Sequence, residues 1–141
     1  MAWKGDHEPM FRYIASCMSD VSSVRDFAQG EAFVKGFMQA QFGANLTYFT
    51  SETEKEVGHG YTDISLTPRL GAQHRYVVEL KYVNRDATEE KIDRVLEEAR
   101  PQLAKYISDH KVKEECDKND WYLHGIVMVF KGWEMVRYEE E

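Results

Sequence analysis

The sequence predicts an α/β fold in which helices flank one mixed β-sheet. Two observations carry this prediction. Three strand-like stretches follow two helical stretches, and a long helical stretch then separates them from the continuously apolar run 121–130 and a final short strand. That order of elements is typical of helices packed against the faces of one sheet, and 141 residues suit a single domain.

The first two predicted elements are helices. Apolar residues recur at helical spacing through the first thirty residues, and Pro9 suits a first-turn position. A second helix begins at Glu31 and carries so many apolar side chains that it must pack broadly against a sheet. The stretch Gly43-Ala44-Asn45 is expected to end it.

Three strands come next. The aromatic and β-branched residues of 46–51 predict the first strand, and the charged stretch 52–56 and a turn at 58–60 are expected to follow it. Residues 61–67 and 75–83 are the second and third strands.

A long helix with one interruption is predicted after the third strand. Asp86 is expected to cap it through the amide of Glu89. Pro101 lies inside its period and predicts a kink or a break near Ala99. Residues 109–120 are expected to be a charged connection, followed by the buried strand 121–130 and a closing strand at 133–138.

Charged side chains interrupt two of the predicted strands. Because side chains alternate faces along a strand, Glu79 and Lys81 share one face of 75–83. The opposite face is apolar and holds Tyr76, Val78, Leu80 and Tyr82. On the preceding predicted strand, the side chain of Asp63 points to one face, and those of Ile64 and Leu66 point to the other. If the two strands pair, Asp63, Glu79 and Lys81 meet at one edge, where buried charges need a partner or a function.

Composition restricts the function classes. A formal net charge of −7 speaks against a stand-alone nucleic-acid binder, since phosphate binders usually carry a basic surface. Cys17 and Cys116 form no CxxC pair, which suits a reducing cytoplasm and argues against a zinc site. No stretch reaches membrane-spanning length and no signal peptide is evident, so a soluble, cytoplasmic protein without membrane partners is expected.

The order of elements, with an aspartate on the second strand and Glu-x-Lys on the third, resembles the PD-(D/E)XK nuclease superfamily. The likeness is greatest to the domain found C-terminal to many bacterial AAA-ATPase-like proteins. Gly30–Phe37, Glu56–Ile64, Val78–Lys81 and the pair Gln102 and Tyr106 carry it. Thr62 stands where the superfamily name has proline. The resemblance implies a restriction-endonuclease-like αβββαβ core in residues 28–141, preceded by a helical extension over 1–27.

Phosphodiester hydrolysis requires a hard cation that polarises the phosphoryl oxygen and acidifies a water molecule. Asp63, Glu79 and the Leu80 backbone carbonyl would hold Mg²⁺, with Mn²⁺ as a substitute, and Lys81 would stabilise developing charge or hold the attacking water. The resemblance adds Glu31 to the metal site and gives Gln102 and Tyr106 substrate or support roles. The implied reaction is cleavage of nucleic acid. The resemblance favours DNA over RNA as the substrate and an endonuclease over an exonuclease.

The candidate residues also have structural interpretations. Taken alone, Glu79 and Lys81 are more typical of a solvated strand edge, and it is the order of elements, with Asp63 upstream, that favours a nuclease site. Glu31 suits the first turn of any helix, and Gln102 and Tyr106 are interpreted as structural rather than catalytic. His59 is interpreted as a loop residue and His124 as a satisfied core histidine. The alternative function is a silent nuclease fold that serves as a protein adaptor. The expected partners are DNA, which the chain would bind weakly by itself, and an upstream ATPase module or another protein. A homodimer is also expected.

Overall fold

The structure is a computed structural model that describes residues 1–20, 30–45, 47–57 and 60–141. The helices are α1 (Glu8–Asp20), α2 (Glu31–Asn45), α3 (Glu89–Ile107) and α4 (His110–Asn119). The strands are β1 (Phe49–Val57), β2 (Gly60–Pro68), β3 (His74–Val83), β4 (Tyr122–Lys131) and β5 (Glu134–Glu140). The predicted α/β class and the predicted order of the core elements are confirmed.

The described strands form one mixed sheet in the order β1-β2-β3-β4-β5. Among the described strands, β3 and β4 are the only parallel pair, in a register that runs from His74–Tyr122 to Val83–Lys131. A parallel connection requires a crossover, and α3 and α4 supply it. The sheet therefore has the antiparallel meander and the crossover of a restriction-endonuclease-like core.

Helices cover both faces of the sheet. On one face, Tyr76, Val78 and Leu80 of β3 belong to a cluster that also contains side chains from α1 and α2. On the other face, Val77 packs with the apolar stripe of α3. The alternation predicted for β3 is confirmed, and the buried strand predicted at 121–130 is confirmed for 125–130, whose residues are all buried.

The first strand differs from its prediction. We expected it over 46–51 with a loop at 52–56, whereas β1 continues to Val57 and pairs with β2 from Phe49–Pro68 to Val57–Gly60. Among the described strands β1 lies at the edge of the sheet, where charged residues are tolerated. The predicted turn includes residues 58 and 59, which lie outside the described residues, as does His59.

The long helix differs from its prediction at its N-cap and near Pro101. Its N-cap is Thr88, whose hydroxyl accepts a hydrogen bond from the Lys91 amide, so the cap predicted at Asp86 is wrong. The predicted break near Ala99 does not occur, because α3 continues through Pro101 to Ile107. Its buried stripe, which includes Leu103, holds the helix against the sheet on either side of the proline.

The connection predicted at 109–120 contains a helix. Asp109 caps α4 by accepting hydrogen bonds from the amides of Lys111 and Val112, and the C-cap is Asp120, whose φ is +54°. Val112 and Cys116 are its buried residues. Two apolar positions among many charges give a weak periodic signal, which explains why the helix was missed.

The N-terminal helix packs into the main core. Phe11, Ile14 and Met18 of α1 lie in the same apolar cluster as Met38 of α2. The rest of the helix predicted for the first thirty residues falls partly on 21–29, outside the described residues. The division into an extension at 1–27 and a domain at 28–141 stays a prediction.

Among the helices that the structure describes, none has the length and apolar character needed to cross a membrane.

Both cysteines are free, and they should differ in reactivity. Burial raises the pKa of the Cys116 thiol, although the Arg75 guanidinium 3.9 Å away opposes this effect. Cys17 is only partly buried. Because the thiolate is the reactive form, we expect an aromatic disulfide reagent to modify Cys17 at least about tenfold faster than Cys116 in the folded protein. Equal rates, measured with Cys17→Ser and Cys116→Ser proteins, would contradict this expectation.

Candidate active site

The candidate site lies where β2 and β3 separate. The pairs between these strands run from Leu66–Tyr76 to Ile64–Val78, whereas β2 stays paired with β1 as far as Gly60. Asp63 is the first residue past the last pair, and its Oδ2 accepts a hydrogen bond from the Leu80 amide at 2.7 Å. A carboxylate thus satisfies a backbone donor at the point where the ladder between the two strands ends.

The Leu80 carbonyl is expected to face the same gap. In a β-strand the N–H and C=O of one residue point to the same side. Since the Leu80 amide meets the Asp63 carboxylate, the Leu80 carbonyl, which the sequence suggested as a third oxygen ligand, is expected to point to the side of β3 on which Asp63 lies.

Glu79 is the most buried acidic group of the site, with 4% of its surface exposed. Burial raises its pKa, while the hydrogen bond from Lys81 opposes that rise. Lys81 Nζ donates to Glu79 Oε1 at 2.7 Å. The other oxygen, Oε2, is buried and has no hydrogen-bond partner among the described residues. An unpaired buried carboxylate oxygen is costly, and a metal ion or a water molecule bound there would satisfy it.

Lys81 connects the strand to α3. Its ammonium also donates to Gln102 Oε1 at 2.9 Å, so the structure places Gln102 beside Lys81. Tyr106, one turn further along α3, is buried in the apolar cluster beneath that helix. The two residues therefore have different surroundings, polar for Gln102 and largely apolar for Tyr106.

A second lysine, which the sequence analysis did not single out, joins α2 to the site. Lys35 Nζ lies 2.5 Å from Asp63 Oδ1 and 2.8 Å from Glu31 Oε1. Burial alone would lower the pKa of Lys35, but the hydrogen bonds to Asp63 and Glu31 outweigh burial and raise it. Glu31 therefore reaches the site through Lys35. The four-residue spacing of Glu31 and Lys35 was the available sequence signal.

The donor set fits a hard divalent cation. Asp63, Glu79 and the Leu80 carbonyl offer oxygen atoms, which Mg²⁺ and Mn²⁺ prefer. The unpartnered Oε2 of Glu79 is the observation that supports this fit most directly. Three carboxylates face two ammonium groups across the gap, so one more positive charge would be favourable there.

Fold and site together define a class: a mixed α/β protein with an aspartate and a Glu-x-Lys pair where two central strands separate. The model of the PD-(D/E)XK nuclease superfamily matches residues 29–140. The chain belongs to that superfamily, as the sequence analysis predicted. No curated protein and no solved structure matches the chain.

Proposed function

We propose that this protein is a Mg²⁺-dependent nuclease that cleaves phosphodiester bonds in nucleic acid, DNA in preference to RNA. The observation that carries the proposal is the cluster of Asp63, Glu79 and Lys81 at the separation of β2 and β3, in a chain of the PD-(D/E)XK superfamily. Cleavage within a strand, rather than only at strand ends, belongs to the same proposal.

The metal site would consist of Asp63, Glu79 and the Leu80 carbonyl. A bound Mg²⁺ supplies two effects, polarisation of the phosphoryl oxygen and a lower pKa for a bound water. Asp63 is held in place for this role, because the Leu80 amide orients its carboxylate. Glu31 acts indirectly, because it orients Lys35 toward Asp63.

Lys81 would carry positive charge to the phosphate. Its ammonium is restrained by Glu79 and by Gln102, so it is already positioned where negative charge develops during hydrolysis. Gln102 is a positioning residue in this scheme, since it acts through Lys81. Tyr106 would support α3 from within its apolar cluster.

The acidic surface shapes the proposal for partners. With a net charge of −7 the chain would hold nucleic acid only weakly by itself. An upstream ATPase module, as in bacterial AAA-ATPase-like proteins, or another protein would provide the additional affinity for nucleic acid. A cytoplasmic location and a homodimer that cuts both strands belong to the same proposal.

The test is an incubation of the purified chain with linear duplex, supercoiled plasmid, single-stranded DNA and RNA. Each substrate is combined with Mg²⁺, Mn²⁺ or EDTA, and Lys81→Met protein is run beside the wild type. We expect metal-dependent cleavage of DNA that EDTA and Lys81→Met both remove. Cleavage that persists in EDTA or in Lys81→Met would contradict the assignment. A chain that neither cleaves nor binds Mg²⁺ or Mn²⁺ would instead favour the adaptor function.

Lys35 should restrain metal binding. Its ammonium neutralises Asp63 and Glu31, and a cation at Asp63 must compete with it. Lys35→Met removes this competitor and leaves the carboxylates without compensation, and both effects favour a metal ion. We expect Mn²⁺ affinity, measured by calorimetry, to rise roughly three- to tenfold.

Lys111→Met is the matched control, because Lys111 is an exposed lysine of α4. It should bind Mn²⁺ as the wild type does. Unchanged or weaker binding by folded Lys35→Met protein would show that Lys35 does not compete with the metal.

A further inference from the structure

Two histidines and a glutamate converge at the opposite end of β3 from the candidate active site. His7 precedes α1, His124 lies on β4 and Glu140 ends β5. Each offers one ligand atom, and these atoms all lie within 4.8 Å of one another. His74, which contacts this cluster, lies five residues before Glu79 and seven before Lys81 on β3, so about 17–23 Å separates the two places along the strand.

The three side chains already face one another. His7 Nε2 lies 3.1 Å from Glu140 Oε2, and His124 Nδ1 lies 2.6 Å from Glu140 Oε1. The Glu140 carboxylate therefore contacts both imidazole rings, one with each oxygen. His7 is buried and His124 is partly buried, whereas about half of the Glu140 side chain is exposed. An ion would reach the cluster from the Glu140 side.

The second nitrogen of each histidine also has a partner. His7 Nδ1 lies 2.5 Å from the Tyr138 hydroxyl, and His124 Nε2 lies 2.8 Å from His74 Nδ1. Tyr76 stacks on the His124 ring with centroids 4.9 Å apart. Histidines that bind metals almost always have such partners, which orient the ring and select the nitrogen that is free to bind. Here both rings present their other nitrogen toward Glu140.

The donor types select the ion. Two imidazole nitrogens and one carboxylate suit Zn²⁺, which takes three protein ligands and a water in its open sites. Mg²⁺ prefers oxygen ligands alone, as at Asp63 and Glu79. The two clusters therefore differ in ligand chemistry as well as in position.

We propose that His7, His124 and Glu140 form a zinc site that fastens the segment before α1 to β4 and β5. His7 lies outside the residues 29–140 that match the superfamily, so the site would attach the N-terminal extension to the nuclease core. The proposal is independent of hydrolysis at the candidate active site.

The test measures zinc directly, using full-length protein. Asp63→Asn protein serves as the background, so that zinc at the candidate active site does not count. Calorimetry should show one equivalent of Zn²⁺ bound, and thermal unfolding should shift upward with Zn²⁺ but not with Mg²⁺. Co²⁺ should give the visible absorption of a four-coordinate site. His7→Gln and Glu140→Gln should each weaken Zn²⁺ binding at least about tenfold and reduce the thermal shift.

His110→Gln is the matched control, because the side chain of His110 is 90% exposed on α4. It should bind Zn²⁺ as the background protein does. Absence of stoichiometric Zn²⁺ binding by the background protein would overturn the proposal. Wild-type affinity in Glu140→Gln would overturn it as well, and this variant keeps the fold because Glu140 is half exposed. A failure of DNA cleavage would leave these readouts unchanged.

Discussion

Asp63→Asn is expected to lower metal-dependent cleavage by at least about 10²-fold, the order lost when one preorganised electrostatic group is removed from an active site. The asparagine oxygen can still accept the Leu80 amide that Asp63 holds at 2.7 Å. The negative charge is lost, however, and the amide nitrogen would meet the Lys35 ammonium, which Asp63 now binds at 2.5 Å. The variant should still fold, because it keeps the Leu80 hydrogen bond and Lys35 keeps Glu31 as a partner. It should lose both metal affinity and activity.

The measurement is the initial rate of plasmid cleavage over a range of Mg²⁺ concentrations, with circular dichroism to confirm the fold. Glu98→Gln is the matched control, since Glu98 is an exposed acidic residue of α3, and it should cleave at the wild-type rate. If folded Asp63→Asn protein keeps more than about a tenth of the activity, Asp63 is not a metal ligand for the reaction.

Phe11→Ala is expected to destabilise the whole protein by about 3–5 kcal/mol, the usual loss for a buried phenylalanine. Phe11 is fully buried, and its ring lies 5.3 Å from that of Phe42 on α2 and 6.0 Å from that of Tyr138 on β5. Its removal opens a cavity where the N-terminal helix, α2 and the sheet meet. The midpoint of thermal unfolding should fall by roughly 10 °C or more.

Tyr13→Ala provides the comparison from the same helix, because 62% of Tyr13 is exposed. It should change the free energy of unfolding by less than about 1 kcal/mol. Denaturant unfolding followed by fluorescence measures both variants. A Phe11→Ala loss as small as that of Tyr13→Ala would mean that α1 unfolds separately from the nuclease core.

The sequence was informative wherever the signal is local. The alternation of β3 placed Glu79 and Lys81 on one face, and Lys81 does bind Glu79 at 2.7 Å. Gln102 was assigned to the site through the family resemblance, and it meets Lys81 at 2.9 Å. The predictions failed where the local signal is weak. The helix α4 and the charged edge strand β1 have too little apolar pattern to reveal them.

Lys35 shows what a local pattern leaves open. Its spacing from Glu31 predicts only a pair on the surface of a helix. Its contact with Asp63 depends on how α2 packs beside the gap between β2 and β3. The charge balance of the site was therefore decided by packing.

The sequence by itself determined the mixed α/β class, the central strands and the candidates Asp63, Glu79 and Lys81, because these follow from periodicity and motif. The tertiary structure alone decided which distant residues meet. Cysteine spacing argued against zinc, yet His7, His124 and Glu140 converge through the docking of the N-terminal segment and the pairing of β4 with β5. Residues separated by 117 positions, as His7 and His124 are, share no local pattern, so only the folded topology brings them together.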